Sequence, residues 1–388
     1  MDPNPIYLDN AATTPLDPAV RAAMLPFLEA EFGNPSSRHR PGQRAAEAIE
    51  RARLDVARAL GARAADVVFT SGGTEANNLG VQGSARARAK HGRHVLFGPT
   101  EHPCVRDSAL ALAEEGFEVE TLRLATGGAL DLEHLASALR PDTILVAQML
   151  VQNEFGTIYP LREVAQLVRA RSPHAAVHVD AVQALGKVDI SIRTLGADSV
   201  AVSAHKVHGP KGSGALVTAG TIPLRPIFFG GGQQQGRRPG TENVAGIVGL
   251  GVAARLAVDG RETAYASMRR CRELLAQRIA AIPGARVLQP GSDAGGVSPS
   301  ILSVVIPGAP SEVRMHHLEE LGIVVSAGSA CHAKSGDTSP ALAAIGLRAD
   351  EAKCMLRFSF SRETSEADVG SAADALEGVC RKLESSRR

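Results

Sequence analysis

The stretch S-V-A-V-S-A-H-K-V-H-G-P-K-G-S-G-A-L at residues 199–216 predicts a strand, a tight turn and a second strand that pairs with the first. Valines alternate with small residues up to Ser203, a glycine–proline turn follows at residues 209–212, and another apolar run covers residues 214–218. Lys206 therefore lies just beyond a strand end. A lysine amine in such a place can be desolvated, lose its proton and form a Schiff base. A surface lysine in a hairpin loop is the alternative that this stretch alone leaves open.

Upstream of this stretch, short β-rich runs alternate with helical ones, which predicts an α/β domain with a mostly parallel, doubly wound sheet. The predicted strands are residues 67–70, 94–97, 119–122, 143–147, 177–179 and 199–203. Amphipathic segments lie between several of them, at residues 74–89, 105–115, 132–139 and 161–171. Ligands of such sheets bind beyond the carboxyl ends of the strands. Each polar residue that follows a strand is therefore a candidate for the functional site.

The remaining sequence predicts an arm, a large domain and a smaller C-terminal domain. Residues 1–15 form the extended arm, and residues 16–258 form the large domain, which ends after a glycine-rich loop at residues 229–243. Helical sequence runs from about residue 244 to 282, and we place the domain boundary within it, near Asp259. The smaller domain, residues 259–388, contains β-rich runs at 300–306 and 355–359, helices at 311–321 and 365–383, and a loop around Cys331.

The composition is that of an ordinary globular protein. Of its 388 residues, 44% are hydrophobic and 21% are charged, and the net charge is +1. This balance gives no reason to expect nucleic-acid or membrane binding. The first residues lack the pattern of a secretory signal, and no apolar run reaches transmembrane length. Five cysteines without a C-x-x-C pair do not favour disulfides or a zinc site, so we expect a cytoplasmic protein.

Several predicted strands are followed by residues suited to bind one particular kind of ligand. Residues 71–75, S-G-G-T-E, lie between a strand and a helix, where free N–H groups and the helix dipole favour a phosphate. An ordinary turn has the same composition. No P-loop and no G-x-G-x-x-G motif occurs.

Acidic and aromatic side chains follow the other strands. Asp180, with Gln183 three residues later, would need a partner such as a protonated pyridine nitrogen, although a helix N-cap is the alternative. His102 is placed to stack on a flat ring or to act as an acid or base, although a lone histidine is more often structural. Asn153 occupies an equivalent position. With Lys206, these residues form the set that pyridoxal 5′-phosphate requires.

The chain resembles NifS/IscS-type cysteine desulfurases, in the class V branch of fold-type I pyridoxal-phosphate enzymes, almost to its C-terminus. The motifs that carry the resemblance are F-G-N-P-S-S (32–37), T-S-G-G-T-E-x-N-N (70–78), T-E-H (100–102), N-E-x-G-T (153–157), V-D-A-V-Q-A-L-G-K (179–187), H-K-x-x-G-P-K-G (205–212), R-R-P-G-T-E-N (237–243) and S-A-G-S-A-C (326–331). The resemblance implies a large domain with a mostly parallel, seven-stranded sheet, a smaller α+β domain, and a homodimer that uses pyridoxal 5′-phosphate.

The resemblance also implies roles for individual residues. Lys206 would bond covalently to the cofactor and move the Cα proton, Asp180 would pair with the ring nitrogen, Gln183 would contact the ring hydroxyl, and His102 would stack on the ring. The residues that would hold the phosphate are Gly73, Thr74, Ser203 and His205, together with Thr241 of the partner subunit. Those that would bind the substrate carboxylate are Asn34, Asn153 and Arg357. The resemblance implies no metal ligand. A metal site that used His91, His94 or the histidines at residues 316–317 would lack a third and a fourth ligand at suitable spacing.

Cys331 would accept the sulfur of L-cysteine as a persulfide and pass it to an acceptor such as an iron–sulfur scaffold or a thiolation carrier. Its surroundings are small and polar, which is typical of an exposed loop, and His332 and Lys334 could lower the pKa of its thiol. The continuation C-H-A-K-S-G-D is also similar to selenocysteine lyases (C-H-x-x-x-G-D), so L-selenocysteine is the alternative substrate. A catalytically silent protein on this fold would be expected to lack these side chains.

Overall fold

A computed structural model of the chain describes residues 5–125, 127–288, 296–327 and 339–385. The strands are β1 (Ile6–Tyr7), β2 (Val67–Thr70), β3 (His94–Phe97), β4 (Glu118–Thr121), β5 (Thr143–Ala147), β6 (Ala176–Asp180), β7 (Ser199–Ser203), β8 (Gly214–Thr218), β9 (Arg286–Leu288), β10 (Ile301–Val305), β11 (Ile323–Val324) and β12 (Met355–Ser359). The helices are α1 (Pro18–Leu28), α2 (Arg40–Ala59), α3 (Gly73–Asn78), α4 (Ser84–Arg88), α5 (Pro103–Ala111), α6 (Leu132–Ala138), α7 (Leu161–Arg171), α8 (Ile192–Leu195), α9 (Val244–Asp259), α10 (Arg261–Ile279), α11 (Ser311–Glu320), α12 (Pro340–Ala344), α13 (Ala349–Ala352) and α14 (Glu366–Ser385). None of these helices is long and apolar enough to cross a membrane.

Seven strands form the central sheet in the order β2-β8-β7-β6-β5-β3-β4. All neighbouring pairs from β4 to β7 are parallel, and β8 runs antiparallel to both β7 and β2. The predicted mostly parallel sheet and the predicted pairing of residues 199–203 with 214–218 are therefore confirmed. Because six of the strands point the same way, their carboxyl ends meet along one edge, where a ligand site is expected.

Two helical regions are less regular than the sequence predicts. The expected helix at residues 74–89 contains a π-helical turn, Leu79–Gly83, between α3 and α4. The expected helical run from residue 244 to 282 is interrupted at Gly260, where α9 ends and α10 begins. Glycine is a poor helix former, which explains why the chain changes helix there. Asp17 is the N-cap of α1, and its Oδ1 accepts hydrogen bonds from the N–H groups of Ala19 and Val20.

The hydrophobic core has one large part around the central sheet and a second part around the antiparallel sheet β12-β10-β9. The first joins the sheet to residues of α2, α7 and α9, and the second joins β10 and β12 to residues of α10 and α14. The N-terminal arm belongs to the second part, because Leu8 is buried in it and β1 pairs in parallel with β11. The arm is thus a short strand and a turn that tie the first residues of the chain to its C-terminal region.

Candidate active site

A cavity of about 320 Å³ opens at the carboxyl edge of the central sheet. This volume lies within the range of small-molecule sites. Its lining includes these residues that the sequence singled out: Gly73, Thr74, His102, Asn153, Asp180, Gln183, Ser203, His205, Lys206 and Arg357. The structure therefore brings together residues from five strand ends and from β12, which are up to 284 positions apart (73 to 357) in the chain.

Lys206 lies on a short 3₁₀ turn, Ala204–Lys206, directly after β7. Its Nζ donates hydrogen bonds to the main-chain carbonyl oxygens of Ala11, at 2.6 Å, and Ala12, at 2.7 Å. Both carbonyls belong to the N-terminal arm, so the arm forms part of the cavity wall. The sequence predicts the strand end but gives no sign that residues 11 and 12 orient the amine.

Asp180 is the last residue of β6, and only 6% of it is exposed. Its carboxylate accepts hydrogen bonds from Asn77 Nδ2, at 2.8 Å, and from the N–H of Val182, at 2.9 Å. Burial raises the pKa of the carboxyl, and the hydrogen bond from Val182, the charges of His102 and Lys206 and the hydrogen bond from Asn77 act in the opposite direction. A buried acid in this state is stabilised by a cationic partner within the cavity.

His102 is the N-cap of α5, and its Nδ1 accepts a hydrogen bond from the N–H of Cys104 at 3.2 Å. Burial lowers the pKa of the imidazole, so the ring at the cavity is neutral near pH 7. Cys104 lies beside it, with its Sγ 3.0 Å from His102 Nδ1, and lines the cavity. Burial raises the pKa of the Cys104 thiol far above its ordinary value, which keeps this sulfur protonated and poorly nucleophilic.

Gln183 and Lys187 form a pair on the sheet side of the cavity. Gln183 Nε2 donates to the carbonyl oxygen of Ala11 at 2.8 Å, and Lys187 Nζ donates to Gln183 Oε1 at 3.0 Å. Burial, and then the charges of Lys206 and Arg357, lower the pKa of Lys187 to about 7. Lys187 was part of a motif in the sequence, but no role was predicted for it. The structure shows that it fixes which end of the Gln183 amide is the acceptor.

Gly73, Thr74, Ser203 and His205 also line the cavity. A side chain at Gly73 would place its Cβ 2.8 Å from Cγ2 of Val182, so glycine is required for the close approach of helix and loop. Burial lowers the pKa of His205 to about 4, and its Nδ1 lies 3.1 Å from Thr13 Oγ1. His205 is therefore a neutral hydrogen-bonding side chain near pH 7.

Arg357, on β12, closes the cavity from the C-terminal region and is 5% exposed. Its Nη2 donates to Asp9 Oδ1 at 2.8 Å, and its Nη1 donates to the carbonyl oxygen of Asn153 at 3.0 Å. These two contacts fix the plane of the guanidinium group. A fixed arginine beside Asn153 is suited to bind a carboxylate, because its N–H groups match the two carboxylate oxygens.

The sequence matches the family model described as aminotransferase class-V over residues 6–371, which is nearly the whole chain. The chain belongs to the class-V aminotransferase family. Among the curated relatives of this chain is cysteine desulfurase IscS of Dictyoglomus turgidum. The two are 37% identical, and the match covers 97% of this chain and 95% of the relative. Cysteine desulfurase IscS of Salmonella schwarzengrund is 40% identical over 96% of the chain and 92% of the relative.

Known structures agree with these sequence relatives. A NifS-like protein superimposes on this chain with a TM-score of 0.90 and 33% identity, covering 97% of this chain and 100% of that one. DndA from Streptomyces lividans gives a TM-score of 0.76 and 36% identity, over 92% and 99% of the two chains. Within its family, the chain therefore falls among the NifS/IscS-type cysteine desulfurases, which are pyridoxal-phosphate-dependent enzymes.

Two described residues that were predicted for the site, Asn34 and Thr241, do not line the cavity. Asn34 is exposed, and its Oδ1 accepts a hydrogen bond from the N–H of Ser36 at 2.9 Å. Thr241 is exposed in the loop before α9. Cys331, with the neighbouring His332 and Lys334, lies outside the described residues. Within the described ranges, no group of three or more histidine, cysteine, aspartate or glutamate side chains could hold a metal ion.

Glu101 is a further residue that the sequence did not single out by itself, although it lies in the T-E-H motif. Its Oε1 accepts a hydrogen bond from the N–H of Met149 at 2.5 Å. Burial, and then the charge of Asp180, raises the pKa of Glu101 well above its usual range. Burial and the neighbouring charge therefore both favour the protonated form of Glu101. Of these two neighbouring buried acids, only Asp180 lines the cavity and can pair with a ligand there.

Proposed function

We propose that this enzyme converts L-cysteine to L-alanine and transfers the sulfur atom to the thiol of Cys331. The observation that carries the proposal is the arrangement of Lys206, Asp180, His102 and Arg357 around one cavity. The relatives named cysteine desulfurase support the same substrate. In the balanced reaction, the Cys331 thiol becomes a persulfide and L-cysteine leaves as L-alanine, so all atoms are accounted for in the two products.

The residues of the cavity fit pyridoxal 5′-phosphate. Asp180 supplies a buried carboxyl that is stabilised by a protonated ring nitrogen, His102 supplies a neutral flat ring, and Gln183 supplies an amide for the ring hydroxyl. Gly73, Thr74, Ser203 and His205, which also line the cavity, would hold the phosphate. When bound, the cofactor supplies a ring that withdraws electrons from the substrate Cα.

The chain's own residues then bind the substrate and move its protons. Arg357 and the adjacent Asn153 bind the substrate carboxylate. The Lys206 amine, held by the carbonyls of Ala11 and Ala12, is placed to remove and return the Cα proton. Because a small displacement of a proton-transferring group costs much of its rate, we propose that the arm contributes to catalysis by orienting this amine.

Cys331 is proposed as the sulfur acceptor because the described cysteines are unsuited to that role. Burial raises the pKa of the thiols of Cys104, Cys271 and Cys380, which disfavours the nucleophilic thiolate. Cys354 is half-buried in the turn before β12 and lies among hydrophobic side chains. Cys331 is the remaining cysteine of the sequence, and its polar, glycine-containing surroundings suit a loop that must carry sulfur to an acceptor.

We propose that the enzyme acts as a cytoplasmic homodimer and delivers sulfur to an acceptor protein, such as an iron–sulfur scaffold or a thiolation carrier. Two phenylalanines, Phe32 and Phe229, are 84% and 89% exposed in the single chain, which suits an interface between two copies. Phe229 begins the loop that contains Thr241. A dimer would therefore allow Thr241 of the partner subunit to reach the phosphate end of the cavity.

We also propose that the chain functions as two domains, residues 16–258 and 259–388, joined by the arm of residues 1–15. Gly260 separates α9 from α10, and the hydrophobic side chains of α10 and α14 pack in a different cluster from those of α9. The first domain would hold the cofactor. The second would carry Arg357 and the loop with Cys331, so that movement between them would change access to the cavity.

The experiment that tests the function compares three variants on L-cysteine, with and without a thiol reductant. Lys206→Ala is expected to lower kcat for alanine formation on the order of 10²–10⁴-fold, the usual contribution of a proton-transferring group. Cys331→Ala is expected to abolish persulfide on the protein. Cys354→Ala is the matched control and should retain both. Alanine is measured with the reductant present, and protein persulfide is measured in parallel samples without it, because a thiol reductant would release the sulfur; full persulfide formation by Cys331→Ala would contradict the proposal.

The same assay with L-selenocysteine tests the alternative substrate, which the sequence C-H-A-K-S-G-D at residues 331–337 favours. We expect the enzyme to complete several turnovers of L-cysteine, measured as more than one molecule of alanine per enzyme subunit. If L-selenocysteine were consumed rapidly while L-cysteine gave neither alanine nor persulfide, the enzyme would be a selenocysteine lyase.

A further inference from the structure

A series of buried hydrogen bonds leads from Asp180 through Asn77, which also lines the cavity, to two side chains that do not line it. Asn77 Nδ2 donates to Asp180 Oδ2 at 2.8 Å, and Asn77 Oδ1 lies 3.0 Å from His178 Nε2. His178 Nδ1 in turn lies 2.8 Å from Ser199 Oγ. His178 and Ser199 are both fully buried, and neither lines the cavity. The histidine therefore touches no ligand and acts only through Asn77.

The direction of each hydrogen bond in this series follows from the one between Asn77 and Asp180. Since the Asn77 amide nitrogen donates to Asp180, its oxygen must be the acceptor toward His178. Burial lowers the pKa of His178 to about 3, so the ring is neutral and carries one N–H group. That N–H group is at Nε2, and Nδ1 accepts from the Ser199 hydroxyl. Turning the Asn77 amide around would break its contacts with both Asp180 and His178 and would move its nitrogen away from Cys104 Sγ, which it also contacts at 3.3 Å.

Two departures from regular structure accommodate His178. The helix that faces it contains the π-helical turn Leu79–Gly83, a distortion that is often found at functional sites. Gly80, within this turn, packs directly on the ring: a Cβ there would lie 2.2 Å from His178 Cε1. A buried polar side chain is costly unless it is hydrogen-bonded. An apolar residue on β6 would avoid that cost.

We propose that His178 is a positioning residue for the desulfurase reaction: through Asn77 it holds Asp180 oriented and ionised toward the ring nitrogen of pyridoxal 5′-phosphate. The inference rests on the proposed function, because it requires that cofactor. A fixed amide N–H favours the carboxylate form of Asp180 over the carboxylic acid. Without His178, the Asn77 oxygen loses its hydrogen bond, and the amide is held less firmly, by the contacts of its nitrogen with Asp180 and with Cys104 Sγ.

The test measures the Kd of two probes, pyridoxal 5′-phosphate and its carbocyclic analogue, in which a C–H group replaces the ring nitrogen. Only the first can pair with Asp180. His178→Leu, which removes both hydrogen bonds, is expected to weaken pyridoxal 5′-phosphate about tenfold or more, the effect of losing support for one charge-assisted hydrogen bond. Binding of the analogue should change less than about twofold. His178→Gln keeps a side-chain N–H group and should restore much of the selectivity.

His94 offers a matched control on the neighbouring strand β3. It is also fully buried, and its Nδ1 lies 2.8 Å from Thr143 Oγ1, but its contacts do not lead to Asp180. His94→Leu should lower the thermal stability without changing the ratio of the two Kd values. Ser199→Ala removes only the hydroxyl at Nδ1, and it should reduce the same ratio by a smaller factor. It carries the test if His178→Leu does not fold.

The results separate this inference from the proposed function. Equal losses for both probes, or no loss for either, would overturn the role of His178. If the unmodified protein does not bind pyridoxal 5′-phosphate or does not turn over L-cysteine, the proposed function itself is wrong, whatever the variants do. A reduced ratio in His178→Leu and Ser199→Ala, with an unchanged ratio in His94→Leu, supports the inference.

Discussion

Lys206 donates to two main-chain carbonyls, whereas Asp180 accepts from an amide side chain and a main-chain N–H group. Both side chains are thereby held in place before a ligand enters, which is the condition for efficient positioning in an active site. Arg357 is held in the same way, by Asp9 and Asn153. At the scale of single residues, the partners of the functional groups are therefore as informative as the groups themselves.

The first prediction concerns Arg357. Arg357→Lys keeps the charge but cannot present two parallel N–H groups to a carboxylate. We expect KM for L-cysteine to rise about 10- to 100-fold, the range of one hydrogen bond to a charged group, with a smaller change in kcat. Arg314→Lys is the control, because Arg314 is equally buried but donates to the carbonyls of Pro307 and Ala309, away from the cavity. An unchanged KM in Arg357→Lys would contradict its assignment to the substrate carboxylate.

The second prediction concerns pH and Lys187. In the folded, cofactor-free protein burial lowers the pKa of Lys187 to about 7, below the value of about 10.4 for an unfolded chain. Between these values the unfolded state binds more protons, so Lys187 contributes stability that rises with pH from about 7 to about 10. Lys187→Met lacks this dependence. Urea denaturation should show that the unfolding free energy of the original protein, relative to Lys187→Met, increases from pH 7 to pH 9.5; a constant difference would refute the prediction.

At the scale of secondary-structure elements, the π-helical turn Leu79–Gly83 packs directly against the ring of His178. It faces β6, where His178 fills the space that a side chain at residue 80 would need. The helix cannot move away without separating Asn77 from Asp180. The distortion of the helix and the contact at the cavity are thus parts of one arrangement.

The third prediction follows from this packing. Gly80→Ala should lower the unfolding free energy by about 1–3 kcal/mol, because the added methyl group overpacks the site and displaces His178. Gly370→Ala is the matched control: Gly370 lies within α14, and a Cβ there meets no atom within 4 Å. That substitution should raise stability by about 0.5–1 kcal/mol, since alanine favours a helix. Equal effects of the two substitutions in chemical denaturation would show that the contact with His178 does not constrain residue 80.

The sequence predicts much of the sheet and of the cavity because both depend on local patterns. Apolar runs that end at Thr70, Phe97 and Ser203 locate strand ends, and parallel strands bring their ends together. The π-helical turn could not be predicted, because a π segment of five residues is too short to change the apolar periodicity of the helical sequence around it. The position of the arm carbonyls beside Lys206 could not be predicted either, since it depends on contacts between residues that are more than 190 positions apart (11 to 206).

At the scale of the whole molecule, two predicted site residues, Asn34 and Thr241, are exposed and lie outside the cavity of a single chain. The large apolar side chains Phe32 and Phe229 are close to them in sequence and are also exposed. Burying these groups between two copies would remove apolar surface from water. It would also bring segments of one copy toward the cavity of the other.

The fourth prediction tests this arrangement. Phe229→Asp places a charge in the proposed interface, and burying an unpaired charge is strongly unfavourable. We expect a monomer in analytical ultracentrifugation and weaker binding of pyridoxal 5′-phosphate, because Thr241 of the partner subunit would be absent. Leu321→Asp is the control, since Leu321 is 59% exposed after α11 in the C-terminal region. A Phe229→Asp variant that remains dimeric with unchanged cofactor affinity would contradict the proposal.

The pairing of the first strand with β11 has a consequence for the order in which the protein is made. Residues 5–12 are synthesised long before residues 322–359, yet the N–H of Ile6 donates to the carbonyl of Gly322, and Asn10 donates to Ser359. The arm can make these contacts only after residue 359 has been synthesised. The carbonyls that hold Lys206 belong to the same segment, so the Lys206 amine acquires its full surroundings late in translation. A nascent or truncated chain would present a folded sheet without a finished catalytic centre.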